Sequence, residues 1–258
     1  DGEILPFKDG KIKSFNDIQK RLGRKNVGQT TLINNPVILK AYDLLEYENL
    51  DIRYQNYFQR RKVLELIIEN LNNDNLQISE SYKINNWSEV KTAHNLARKN
   101  NSEGLMLKNK LSIYRVGRKR GDWWKWKVDP LTIDAVLTYA MRGHGRRANL
   151  FTDYTFGLWI DNNGNRELVT FAKAYTGLTD KEFKEVDKFI KKNTIERFGP
   201  VRSVKPELVF EIAFEGVANS SRHKSGVAVR FPRILRWRKD KNSNQANTIE
   251  NLKSLINE

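Results

Sequence analysis

Cysteine is absent from the 258 residues, which excludes disulfides, thiol nucleophiles and cysteine-ligated zinc. Histidine is nearly as scarce, and His94, His144 and His223 are too scattered to suggest a metal set. Acid is short of base, with 31 Asp and Glu against 46 Lys and Arg, so the formal charge is +15 and the pI about 9.8. That surplus suits a polyanionic partner, because neutralising phosphates releases condensed counterions. A basic surface kept for solubility alone would carry the same charge. Long apolar runs are missing as well, and the longest falls far short of a membrane span. No secretory signal is visible. The expectation is a cytoplasmic protein away from the membrane. With 39% hydrophobic and 10% aromatic residues there is enough apolar matter for folded cores, and the length has room for two domains.

Local patterning predicts mixed elements in the first half. Ser14 to Leu22 followed by Gly23 has a helix's capping serine and terminating glycine. Pro36 to Leu45 and Leu76 to Ile84 read as strands, and Arg60 to Asn70 has apolar residues at helical spacing. Ser88 is placed to cap a helix running to about Arg98. Near Asp129-Pro130 the character changes to a series of short strands, so the boundary falls there, giving domains 1–128 and 129–258. In the second, Thr132 to Arg142 reads as a long strand and Phe156 to Tyr175 as a hairpin turning at Asn162-Asn163-Gly164. Thr179 and Glu182 form a capping box for a helix to about Asn193. Leu208 to Phe214 and Val227 to Arg230 supply further strands. The class is α+β, and short strands with one inserted helix suit an OB-fold barrel in the second domain.

The densest chemistry lies between Glu103 and Lys127, EGLMLKNKLSIYRVGRKRGDWWKWK. Glu103 opens a short apolar run, Leu105 to Leu107, so its carboxylate would stand at a strand end. Lys125 and Lys127 alternate with Trp124 and Trp126. In a strand, period two sends both ammonium groups to one face and both indoles to the other, with the tryptophans anchoring the core. An ordinary amphipathic strand with a solvated basic face has the same pattern.

These residues resemble two signature motifs of the ATP-dependent DNA ligases, in the covalent nucleotidyltransferase superfamily. Three more segments resemble the family's motifs in the same order. Asp1-Gly2-Glu3-Ile4-Leu5 looks like its metal-binding DGE motif. Ala41-Tyr42-Asp43-Leu44-Leu45 looks like the segment whose ring stacks on adenine. Arg230-Phe231-Pro232-Arg233, continuing through Arg236, Arg238, Asp240 and Lys241, resembles the terminal motif. The match runs over essentially the whole chain and is closest to the bacterial and archaeal members. The family's nucleophile, in a Lys-x-Asp-Gly motif, should lie upstream of the DGE motif. The resemblance therefore implies the later part of an adenylation domain without that lysine, followed by an OB-fold domain. Lys8-Asp9-Gly10 imitates the motif from the wrong side of Glu3 and reads as a hairpin turn.

The resemblance implies a site for ATP and Mg2+. Glu3 and Glu103 would serve the metal, Glu3 also lying near the ribose. Tyr42 would stack on adenine. Lys125 and Lys127 would contact the phosphates, helped by Arg120, with Lys108 a lesser nucleotide candidate. Arg236 and Lys241, with the other basic residues of the terminal motif, would orient the pyrophosphate of ATP. Arg118, Lys119, Arg142, Arg146 and Arg147 would meet DNA, and Asp129 would be the hinge. The implied partner is nicked duplex DNA, sealed by a monomer through enzyme-AMP and DNA-adenylate intermediates. Two other readings stay open. A basic, non-catalytic DNA-binding module would explain the charge, and an mRNA-capping-type guanylyltransferase would share the motifs but take GTP.

Overall fold

Gly2–Lys8 (β1) runs into Lys11–Ile12 (β2) through a two-residue turn. Lys8 faces Lys11 across the hairpin, and both turn residues are left-handed, Asp9 at φ 56° and Gly10 at φ 72°. A turn that holds φ positive twice favours Asp or Asn followed by Gly, so the Lys8-Asp9-Gly10 string is hairpin chemistry. The computed structural model describes residues 1–13, 15–100, 102–143, 149–162, 164–175 and 177–257. Its contacts divide the chain into two compact units, Asp1–Val128 and Asp129–Glu258.

In the first unit, Phe15–Gln19 (α1) and Gln29–Asn34 (α2) lead to Val37–Ala41 (β3), antiparallel to β1 with Glu3 opposite Lys40. Glu46–Tyr47 (β4) and Leu50–Asp51 (β5) form a small hairpin before Tyr57–Leu71 (α3). Leu76–Ile78 (β6) joins β3 in parallel, giving the sheet order β2-β1-β3-β6. Trp87–Leu96 (α4) then precedes an antiparallel pair, Gly104–Lys108 (β7) and Trp123–Lys127 (β8). β3 and β6 are shorter than the expected strands 36–45 and 76–84. β3 stops at Ala41 because the next carboxylate, Asp43, is drawn into a buried ion pair. The cap of α4 is Asn86, whose side-chain oxygen accepts from Glu89 N–H at 3.1 Å, and Ser88 already lies inside the helix.

The second unit is built on Leu131–Arg142 (β9). Phe151–Asn162 (β10) and Asn165–Ala174 (β11) add along one edge as a hairpin. Asn163, assigned to its turn, lies outside the described residues. Asp180–Lys192 (α5) carries the expected capping box, with Thr179 Oγ1 accepting from Glu182 N–H and the Glu182 carboxylate accepting from Thr179 N–H at 2.9 Å. Thr194–Phe198 (β12) and Val201–Val204 (β13) form a second hairpin. Val209–Phe214 (β14) returns to β9, pairing Leu131 with Phe214, while β13 pairs with the far end of β9. Gly216–Asn219 (β15), Val227–Arg230 (β16) and Arg233–Trp237 (β17) follow, β17 on β14. One strand feeding three neighbours curls the sheet into an OB-fold barrel around Leu137, Phe156, Leu158, Phe210 and Phe214.

The tail closes this barrel. Ile249–Ser254 (α6) buries Ile249 and Leu252 completely, and Trp159 Nε1 donates to the Ser243 carbonyl at 2.7 Å. Asn247 exchanges two bonds with Asp134, its N–H donating to the Asp134 carbonyl and its side-chain oxygen accepting from Asp134 N–H, both at 2.9 Å. Among the described residues no helix is long and apolar enough to cross a membrane.

Candidate functional site

The β7–β8 register sets Gly104 opposite Lys127, Met106 opposite Lys125 and Lys108 opposite Trp123. Residues directly opposed on antiparallel strands share a face, so Lys125 and Lys127 point the same way, as their spacing predicts. Both are exposed. Glu103 immediately precedes β7, and its carboxylate lies 3.2 Å from Lys127 Nζ, with each side chain a little under half exposed.

The tryptophans do not form one core face. Trp126 stacks on His94 of α4 at 4.3 Å between centroids and meets Trp87 edge-on. Trp124 is 58% exposed. The expected anchoring holds at Trp126 and fails at Trp124, because α4 covers only the Trp126 end of the pair. Trp123, on the face of the lysines, is the better anchored residue. It meets Tyr42, Tyr57 and Tyr114 edge-on at 6.2, 6.0 and 5.8 Å. Lys108 places its ammonium against three of these rings.

Tyr42 is held at several points. Its hydroxyl donates to Asp1 Oδ1 at 3.0 Å, while the Tyr114 hydroxyl donates to Asp1 Oδ2 at 2.7 Å. Burial pushes the Tyr42 phenol above its ordinary pKa, with Tyr114, Glu3 and Asp43 adding to the rise. Glu3 itself is exposed on β1. Behind Tyr42, Asp43 and Arg60 of α3 form a fully buried bidentate pair at 2.7 and 2.8 Å. Arg60 also donates to the carbonyls of Gln55 and Ser112. This lock ties the Tyr42 segment, the α3 N-terminus and the loop after β7 together. Sequence reasoning passed over Asp43, Arg60, Tyr57 and Trp123. The available signal was an arginine in an otherwise apolar stripe of α3, which must find a carboxylate if it is buried.

Arg118, Lys119 and Arg120 are exposed between Gly117 and Gly121, both at positive φ, in the β7–β8 loop. The loop is closed by Asn109 N–H donating to the Asp122 carbonyl at 2.9 Å and by the Arg115–Asp122 pair at 2.6 Å. In the second unit Arg142 ends β9 with its guanidinium over Phe151. Arg146 and Arg147 lie outside the described residues. Arg236 pairs with Glu211, and Lys241 Nζ donates to Asp134 Oδ2 at 2.6 Å. Arg238 joins Lys241 on Asp134, a carboxylate that is nearly buried. Asp129 is exposed at the start of this unit.

A magnesium ion is implied by the motif resemblance. Among the described residues no group of three or more His, Asp or Glu side chains forms a metal cage. Magnesium does not require one, since it takes one or two carboxylates and completes its octahedron with water and phosphate oxygens. The half-exposed Glu103 carboxylate has the hard oxygen donors such a site would use.

Comparison with known proteins agrees. The family model described as "ATP dependent DNA ligase domain" matches residues 1–127, and "ATP dependent DNA ligase C terminal region" matches residues 147–241. The chain is 36% identical to a probable DNA ligase of Koribacter versatilis, over 97% of this chain and 46% of that protein. It is 32% identical to a DNA ligase of Methanococcoides burtonii, over 99% of this chain and 44% of that protein. It thus spans about half the length of these curated relatives. Among solved structures, that titled "Pmar-Lig_PreS3" shares the fold, with TM-score 0.67 at 17% identity over 92% of this chain and 50% of that one. The five ordered motifs, the fold of both units and these matches agree, and the chain belongs to the ATP-dependent DNA ligase family.

Proposed function

We propose that the chain supplies the nucleotide- and phosphate-handling part of a ligase that uses ATP to seal nicks in duplex DNA. The carrying observation is the β7–β8 register, which sets Lys125 and Lys127 on one face, with the Glu103 carboxylate just before β7 at 3.2 Å from Lys127. Nucleotidyl transfer passes through a crowded, negatively charged phosphorus centre, so fixed cations and a metal serve it better than a proton-transferring base. On this reading Lys125 and Lys127 hold the phosphates with Arg120 at the rim. Glu103 and Glu3 serve magnesium, which when bound would neutralise phosphate charge, and Tyr42 receives the adenine. Arg236 and Lys241 meet the pyrophosphate. Arg118, Lys119, Arg142, Arg146 and Arg147 contact DNA, and Asp129 is the pivot between the two units. The whole protein works as a monomer in the cytoplasm. Its nucleophilic lysine attacks the α-phosphate and releases pyrophosphate, AMP passes to the 5′-phosphate at the nick, and the 3′-hydroxyl displaces AMP. Lys8, committed to the β1–β2 hairpin, is not that lysine.

The deciding experiment follows label from the α-phosphate of ATP in the whole protein. Label should stay with the denatured protein through a phosphoramidate and leave when nicked duplex is added. Labelling from GTP instead would replace this reading with a capping-type guanylyltransferase. A separate measurement concerns the 258-residue chain. Its affinity for duplex DNA is expected to fall linearly on a log–log plot against salt, with a slope of about −0.9 for each phosphate neutralised. Absence of binding even at low salt would remove the DNA contacts assigned above.

A further inference from the structure

The Lys108 ammonium lies 4.0 Å from the centroid of Trp123, 4.1 Å from Tyr42 and 4.8 Å from Tyr57. These rings come from β8, the residue after β3, and the first residue of α3, so the cation joins three elements that are distant in sequence. Ring quadrupoles attract a cation to their faces, and the attraction grows as water is excluded. The arrangement is also fixed from behind. Trp123 packs edge-on against Tyr42 and Tyr57, the Tyr57 hydroxyl donates to the Tyr42 carbonyl at 3.3 Å, and the Asp43–Arg60 pair locks the neighbouring backbone.

An ammonium seated on one face of an aromatic ring closes that face to a second planar group. We propose that Lys108 is the positioning residue of the nucleobase site: it fixes the Tyr42 ring and reserves the opposite face for the purine of the nucleotide. The inference rests on the reading that Tyr42 receives the base, and adds the residue that orients it. Tyr42 is then held at both ends, its hydroxyl on Asp1 and its ring on Lys108, so a base meets a ring already in place. Ordering that the protein has completed beforehand is not charged against binding.

The placement has a signature in pH. Burial, opposed by Asp43 and aided by Arg61 and Arg60, brings the Lys108 pKa down to about 8. The facing Tyr42 and Tyr57 phenols are both raised, mainly by burial, and stay protonated across that range. The ammonium, and with it the fixed ring, is therefore present below about pH 8 and lost as pH rises through that value. The stability sign is opposite. Because the unfolded chain keeps this proton to higher pH than the folded one, Lys108 makes folding stability rise as pH climbs above about 8.

The test compares Lys108→Met, which keeps the length and removes the charge, with Lys108→Arg, which keeps the charge. In the whole ligase, ATP affinity without DNA is expected to weaken about tenfold in the Met variant and to stay within about threefold in the Arg variant. Wild-type affinity should fall between pH 7 and 9, and both variants should lose that dependence. DNA affinity should not change. The proposal is overturned if the Met variant binds ATP like the wild type, if Arg fails as Met does, or if all three share one pH profile. Should the Met variant not fold, the Arg profile alone decides. Those failures leave wild-type ATP binding intact, whereas failure of the wild type to bind ATP would remove the nucleotide reading as well.

Discussion

Nick sealing by the whole ligase is expected to fall by about a thousandfold or more when Lys125 and Lys127 are both replaced by alanine. Removing one preorganised donor aimed at developing charge costs about 10²–10³ in rate, and donors that act as a unit do not add simply. The register on β8 makes the pair such a unit, two exposed ammonium groups on one face with the Glu103 carboxylate 3.2 Å from one of them. The loss should appear in single-turnover rates for charging with AMP and for closing a pre-adenylated nick. Duplex affinity should weaken only a few-fold, because two cations are a small part of a +15 chain. A variant that loses DNA affinity in proportion to sealing would show that these lysines bind rather than catalyse.

Replacing Asp43 by asparagine, or Arg60 by methionine, should each destabilise the first unit by about 3–5 kcal/mol, since either change leaves a buried charge without its partner. Both side chains have no solvent exposure, and their bidentate contact ties the Tyr42 segment to α3 and to the Ser112 carbonyl. Urea unfolding followed by tryptophan fluorescence measures the loss. Changing both residues together should cost less than the sum of the single changes. An additive double variant would mean that the pair does not act as a lock.

Much of the chemistry was legible because it depends on short range. Period two placed Lys125 and Lys127 on one face, and Asp9-Gly10 identified its own turn. The Thr179–Glu182 box fixed the start of α5. What escaped depends on contacts between distant segments. Nothing near Lys108 announces that Tyr42 and Tyr57 will enclose it, and Trp124 looks as buried as Trp126 until α4 covers one and leaves the other exposed. The β12–β13 hairpin was missed because β12 carries charged, exposed residues on both faces, which reads as loop. The strands β3 and β6 cover only 37–41 and 76–78 of the expected 36–45 and 76–84, and the polar run Ser79-Glu80-Ser81 follows β6 directly.

The shared edge of β9 also bears on how the second unit folds. β9 is made early, yet its first half waits for β14, with Leu131 paired to Phe214, and its second half for β13. Such pairings must close long loops before any contact rewards them, which slows folding and leaves strand edges open to other chains in the meantime. On a ribosome, β9 and the β10–β11 hairpin emerge as a three-stranded sheet with one edge bare until the rest of the barrel is synthesised. The many lysines and arginines in this chain then have a second use, keeping such half-made sheets apart by mutual repulsion until β14 arrives.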